Sequence, residues 1–439
     1  MNPLLLGTIA FIVLIILVVC GIHIGPALIF VGLIGTIIAS GRFETALAML
    51  VTTPFYTAFD FGLVVAPLYA AMGLFSLYGG FSEEAYKAAY RWLGRLPGGM
   101  AIATVWACTA FGAASGSAVA AASIFTKVSL PEMVKYGYEK KFSAGLIAQA
   151  SALAVLIPPS LLFIVYGVLT EQSIAKLFIA GVIPGIVFAS VLSLGIVILV
   201  LRNPKLAPPV TSSIPWKQKF ASLRGLWGIS ILALVVLGGI YGGIFTPTES
   251  AAVGAFGAFV IAIIQRKLTW GRLWAVLIET AEFTSLLYLI LIGALIFSRF
   301  LSISGFTNHL VDFLIGLEIP RMGLLAGILL IMLFLGCFLD GIAIMCLTMA
   351  TIFPLIMKLG FDPIWFGVVL TVALEAGLVT PPFGLGVFTV KAATDLKLST
   401  EDIFRGAFPF LIMVLVVLII LVIFPQITLF LPNLMRGSG

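Results

Sequence analysis

Apolar residues run along this chain in long blocks separated by short clusters of Gly, Pro and charge. Most blocks reach the roughly 20 residues that a helix needs to cross a bilayer, and none alternates as a strand would. The pattern predicts an all-helical bundle that crosses a membrane many times. Spans are expected over about 3–20, 22–40 and 56–79, with 44–54 a shorter segment lying along or dipping into the membrane. Residues 81–95, carrying Glu83, Glu84, Lys87, Arg91, Trp92 and Arg95, read as an amphipathic helix at the interface. The apolar run that follows is interrupted by Ala114-Ser115-Gly116-Ser117, and each arm is short for a crossing. A re-entrant hairpin over 97–134 is therefore predicted, its tip buried in protein or lining a watery cavity. The next span, from about Phe142 to Val168, is broken at Pro158-Pro159, where two amide hydrogens are missing. A last span over 174–201 leads into a basic, Pro-rich linker at 207–222.

The pattern then recurs. An offset of 223 residues carries Pro97, Pro131, Pro158 and Pro159 onto Pro320, Pro354, Pro381 and Pro382, Phe111 onto Phe334, Gly137 onto Gly360 and Ser117 onto Asp340. Four prolines in one register identify two copies of one unit, residues 1–206 and 223–439. The second copy is expected to hold spans near 224–241, 247–264 and 281–300. After these come a hairpin over 320–358 with its tip at Asp340-Gly341, a helix broken at Pro381-Pro382, and a last span near 405–431. Five crossings per copy is an odd number, so the second copy enters the membrane with opposite orientation and the repeat is inverted.

Composition agrees: with 62% hydrophobic and 10% charged residues, the chain has too little polar surface for a water-soluble globule. The net charge of +6 does not indicate nucleic acid, because the basic residues fall in short loops. Placing the linker in the cytoplasm puts Arg202, Lys205, Lys217, Lys219 and Arg224 there with Lys87, Arg91, Arg95, Lys135, Lys140, Lys141, Arg266, Lys267, Arg272, Lys391, Lys397 and Arg405. Only Arg42, Lys176, Arg321, Lys358 and Arg436 are left outside. Both termini are then expected outside, with Trp92, Trp216, Trp227, Trp270 and Trp274 in an inner aromatic belt. The Leu4–Cys20 stretch is read as the first span of the repeat rather than a signal peptide, having no basic segment before it and bulky Val19 at the cleavage position. Cys108, Cys337 and Cys346 stand singly in apolar sequence, which indicates neither a disulfide framework nor a metal site.

Inverted repeats with discontinuous helices at mid-membrane are the architecture of secondary transporters, in which freed carbonyls bind cations. Sodium prefers several hard oxygen ligands, and a hairpin tip facing a proline break supplies them from backbone and hydroxyl groups. The first sodium site is expected at Ser115, Gly116, Ser117, Ala154, Ile157 and Pro158. The second is expected at Asp340, Gly341, Gly377, Thr380 and Pro381. Close packing of small residues and simple kinking at proline would explain each feature singly, but not their paired recurrence. Asp340 is the most informative residue, since a carboxylate amid apolar sequence is costly in a membrane without a partner. Lys127 and Arg299 are further candidates to meet a substrate carboxylate, against snorkelling to the interface. Glu249 and Glu375 are comparable, with Glu249 also placed to cap the helix after Thr246-Pro247. An intramembrane serine protease is the enzyme alternative, since Ala113-Ala114-Ser115-Gly116 approaches a nucleophile loop. It fails because position 113 is Ala and neither His23 nor His309 lies mid-span to act as base.

These residues resemble a known family, the large membrane (M) subunit of TRAP (tripartite ATP-independent periplasmic) transporters. The resemblance is carried by Leu63-Val-Val-Ala-Pro67-Leu-Tyr69, Ala114-Ser-Gly-Ser117, Leu130-Pro-Glu-Met133, Leu156-Ile-Pro-Pro-Ser160-Leu161, Ile183-Pro-Gly185 and Gly243-Ile-Phe-Thr-Pro-Thr-Glu249-Ser-Ala-Ala-Val253, and it covers nearly the whole chain. It implies an inner-membrane protein that imports an organic acid (a C4-dicarboxylate, a sialic acid or another sugar acid) with sodium by an elevator motion. Sodium is then the coupling ion and there is no cofactor. Implied partners are a small membrane (Q) subunit and a periplasmic substrate-binding (P) protein, and implied substrate contacts are Ser115, Ser160 and Asp340. One departure is Ala154, where the family commonly has glycine, whereas the second copy keeps Gly377. A self-sufficient sodium–dicarboxylate symporter of similar hairpin architecture is the alternative within transporters.

Overall fold

The computed structural model describes residues 2–208 and 215–435. Arg436 and the linker residues 209–214 lie outside the described residues. The architecture is wholly helical, with no strand among the described residues. Among the described residues, seven helices are long and apolar enough to cross a membrane, and an eighth results if Lys140–Leu156 and Leu161–Thr170, bent by 48°, count as one span. Large apolar side chains on these helices, among them Leu201, Leu234, Phe256 and Phe408, are exposed. A surface of this kind suits hydrocarbon rather than water. The chain is a multi-pass membrane protein.

Helix ends follow local chemistry. Gly99–Ser115 is almost entirely buried and stops at Gly116, whose φ of 63° lies in the left-handed region that glycine adopts without strain. Ser117 then returns to extended backbone, and its hydroxyl accepts from the Ala120 amide to start Ala118–Lys135. Two residues thus reverse the chain between two helices that pack on each other. Arg321–Gly336 and Gly341–Lys358 form a second such pair, and Asp340 Oδ1 accepts from the amides of Ile342 and Ala343. Both ends of Ala118–Lys135 differ by 223 from those of Gly341–Lys358, and Ile24–Ser40 begins 223 before Pro247–Ile264. At the proline pairs the helices stop as the missing amides require. The first break runs from Ile157 to Ser160, which caps Leu161–Thr170 by accepting from the Phe163 amide, and the second from Leu378 to Gly384. Glu249 completes a capping box with Thr246, its Oε2 accepting from the Thr246 amide at 2.8 Å.

Three boundaries differ from the sequence expectation. The segment expected at 44–54 is a helix from Phe43 to Phe59 that contains Pro54, and the following span starts at Phe61. The division falls at Asp60, whose carboxylate accepts from the Gly62 amide and starts a new turn, so a polar cap rather than the proline sets the boundary. In place of a span at 281–300, Trp270–Ile303 is one helix of 34 residues, about 51 Å at 1.5 Å per residue and longer than a bilayer core is thick. The last span ends at Ile423, because Pro425 interrupts it before Gln426–Leu434.

Gly99–Ser115 and Pro363–Gly377 are buried along almost their whole length. Phe111 and Phe125 meet edge to face at 5.9 Å, and Tyr69 and Phe178 do so at 5.6 Å. The first turn, which joins the helices of Phe111 and Phe125, is thereby held in the core.

Candidate functional site

The first turn rests on the first break. A Cβ placed on Gly116 would stand 2.4 Å from the Pro159 carbonyl oxygen, and one on Gly112 would stand 2.7 Å from the Ala154 Cα. Ser115, Gly116 and Ser117 are therefore brought against the segment from Ala154 to Ser160. In the second half, a Cβ on Gly377 would stand 2.6 Å from the Gly336 Cα, and the Gly384 amide donates to the Cys337 carbonyl at 3.0 Å. The turn preceding Asp340 thus meets the break that contains Thr380 and Pro381. Both approaches need a residue without a side chain, but at different places. Ala154 is accommodated by Gly112 opposite it, whereas Gly377 faces another glycine. The halves also meet each other, since a Cβ on Gly341 would lie 3.0 Å from the Leu162 side chain.

The polar groups differ in how far they are already engaged. Ser160 is fully buried and caps a helix, and the Thr380 hydroxyl donates to the Ala376 carbonyl at 2.8 Å. Asp340 is exposed, and the Oδ1 that caps Gly341–Lys358 is engaged at 2.9 and 3.2 Å. Ser115 Oγ has no hydrogen-bond partner although the residue is only 6% exposed. Such a group is costly unless something else satisfies it. Lys127 is not gathered with the others: it is exposed and ten residues beyond Ser117, about 15 Å along the helix. Arg299 donates to the Thr53 hydroxyl at 2.9 Å. Pro381 and Pro382 border a separate cavity of about 550 Å³ with Glu401 and Arg405.

A cavity of about 230 Å³ opens beside the first turn, lined by Ser115, Ser117, Ala120 and Leu161 on one side. Ala70, Gly73, Leu74, Leu77, Glu279 and Phe283 line the other. Gly73 makes this possible, since a Cβ there would stand 2.9 Å from the Ser115 carbonyl oxygen. Glu279 Oε1 accepts from the Tyr78 hydroxyl at 2.5 Å, tying Trp270–Ile303 to Val65–Tyr78. Sequence reasoning did not single out Glu279, although an acidic residue in the apolar run after Trp274 was a usable signal. Other buried polar atoms without a partner include both amide atoms of Gln149 and Oε2 of Glu375. Each lies in a helix leading to a break.

A many-helix membrane protein whose two helical turns abut two broken helices around polar oxygens belongs structurally with the membrane transporters. Residues 11–427 match the family described as "Tripartite ATP-independent periplasmic transporter, DctM component", and the chain belongs to that family, the TRAP transporter large membrane subunits. It is 36% identical over 381 residues to the C4-dicarboxylate TRAP transporter large permease protein DctM of Pseudomonas aeruginosa, covering 86% of this chain and 88% of that protein. It is 32% identical over 375 residues to the ectoine/5-hydroxyectoine TRAP transporter large permease protein UehC of Ruegeria pomeroyi, covering 85% and 86%. Its fold resembles that of the Alcanivorax borkumensis YdaH transporter, with a TM-score of 0.63 at 14% identity over 87% of this chain and 89% of that one.

Proposed function

We propose that this chain imports an organic acid across the inner membrane, driven by sodium, as the large subunit of a three-part transporter. The observation that carries the reading is the paired approach of turn and break, Gly116 on Pro159 and Gly336 on Gly377. Each approach gathers backbone carbonyls and hydroxyls of the kind that sodium takes as ligands. The sodium ligands are then Ser115, Gly116, Ser117, Ala154, Ile157 and Pro158 in the first half and Asp340, Gly341, Gly377, Thr380 and Pro381 in the second. Ser115, Ser160 and Asp340 face the substrate. The common offset of 223 in helix ends supports two inverted repeats, each of five crossings and a re-entrant hairpin, with residues 1–206 and 223–439 as the units and a cytoplasmic linker at 207–222. Both termini are periplasmic in this arrangement. The hairpins and broken helices move together against the remaining helices as an elevator.

The family's tripartite description supports two separate partners, a small membrane subunit and a periplasmic binding protein. Relatives named for a C4-dicarboxylate and for ectoine support an organic acid as cargo. The test is uptake by proteoliposomes holding this chain and the small subunit, with loaded binding protein outside. Uptake is expected to follow an inward sodium gradient and to stop without the binding protein. Uptake that follows a proton gradient and ignores sodium would overturn the sodium assignment.

A further inference from the structure

We propose that Glu279 is a specificity-determining residue: set across the cavity from the unpartnered Ser115 hydroxyl, it selects organic acids that also carry a cationic nitrogen. The inference rests on the transport reading above and deepens it by naming the charge type of the substrate. The cavity is bounded by Ser115, Ser117 and Ala120 on one side and by Glu279 and Phe283 on the other. Ser117 and Ala120 begin the helix Ala118–Lys135, so this side presents a helix N-terminus, which favours negative charge. Ser115 Oγ, on a residue 6% exposed, has no partner and can donate to a carboxylate there.

The opposite side has the other sign. Glu279 accepts one hydrogen bond, from the Tyr78 hydroxyl, and among the described residues it makes no salt bridge. No basic residue lines the cavity. Arg272, on the same helix, donates to the carbonyls of Lys267 and Tyr78 at 2.7 and 3.4 Å. A dianion placed here brings its second carboxylate towards Glu279, and the like charges repel. A zwitterion satisfies both sides at once, its carboxylate on Ser115 and the helix start and its cationic nitrogen on Glu279.

Binding of radiolabelled ectoine, a zwitterion with one carboxylate, and of succinate, a dianion, to the complex of this chain with its small subunit in sodium tests the proposal. The binding protein is omitted so that its own selectivity does not enter. The wild type is expected to bind ectoine at least about tenfold more tightly than succinate. Glu279→Gln, which keeps the acceptor for Tyr78, is expected to shrink that ratio by about tenfold or more with little change in melting temperature. Tyr78→Phe removes the tie between the helices but keeps the charge, so it is expected to preserve the ratio. If Glu279→Gln and Tyr78→Phe lower the melting temperature alike and leave the ratio untouched, Glu279 is a clasp and the proposal fails. It fails equally if the wild type binds succinate as well as ectoine, an outcome that leaves the transport reading intact. That reading fails separately, if the uptake assay detects no sodium-driven entry of any acid.

Discussion

Gly116 and Pro159 meet backbone to backbone, so closely that a Cβ on the glycine would stand 2.4 Å from the proline's carbonyl oxygen. The same glycine has φ of 63°, which L side chains rarely adopt. Gly116→Ala therefore meets two penalties, while Gly243→Ala, at φ of 67° with nothing within 4 Å, meets only the backbone one. The left-handed conformation costs about 1–2 kcal/mol for a residue with a Cβ, and crowding adds about 1–3 kcal/mol. Melting temperature in detergent is expected to fall further for Gly116→Ala than for Gly243→Ala, and only Gly116→Ala is expected to abolish uptake. Equal losses in both variants would deny the contact any special part.

Asp340 combines a cap with a charge. Asn caps a helix about as well as Asp, so Asp340→Asn is expected to keep the bonds to Ile342 and Ala343 and to give a folded, membrane-inserted protein. Sodium-driven uptake should fall to background, because the charge that favours a neighbouring cation is gone. Full uptake by Asp340→Asn would remove the residue from the site, and loss of monodisperse protein would assign it a structural part alone.

The two glycine contacts predict opposite tolerance at equivalent positions. Gly377→Ala drives a methyl towards the Gly336 Cα, 2.6 Å away, and is expected to destabilise by about 1–3 kcal/mol. Ala154→Gly relieves nothing, since Gly112 already makes room, and is expected to cost about 1 kcal/mol or less from backbone freedom. Thermal unfolding of the two variants in detergent checks the order. A larger loss for Ala154→Gly would mean that the Gly112 contact has been misjudged.

The basic residues beside the linker, with the proposed five crossings in each half, predict that the linker faces the cytoplasm. A cysteine at Lys217, in the short exposed helix Trp216–Leu223, is expected to resist an impermeant thiol reagent in intact cells and to react after permeabilisation. Reaction in intact cells would reverse the topology and with it the inverted-repeat proposal.

The sequence by itself determined the helical class, the two turns and the two proline breaks. Ser117, Asp340, Ser160 and Thr246 were visible as polar residues opening apolar runs, and each caps a helix in the structure. Capping, proline breaks and left-handed glycines act within three or four residues, so the turns, the breaks and the offset of 223 were all legible. The segment expected to end at 54 runs on to Phe59, where the cap at Asp60 starts the next turn. Only the tertiary structure decided which faces meet. Tyr78 and Glu279 are 201 residues apart in the chain, and nothing local to either fixes how far its helix is rotated. In a membrane bundle the hydrophobic pattern gives little help, since lipid-facing and buried sides are both apolar. Helix rotation is set instead by close approaches such as Gly73 on the Ser115 carbonyl. That approach puts Glu279 across a cavity from Ser115, and it leaves Lys127, a further candidate to meet the substrate in the sequence, at an exposed position along the helix.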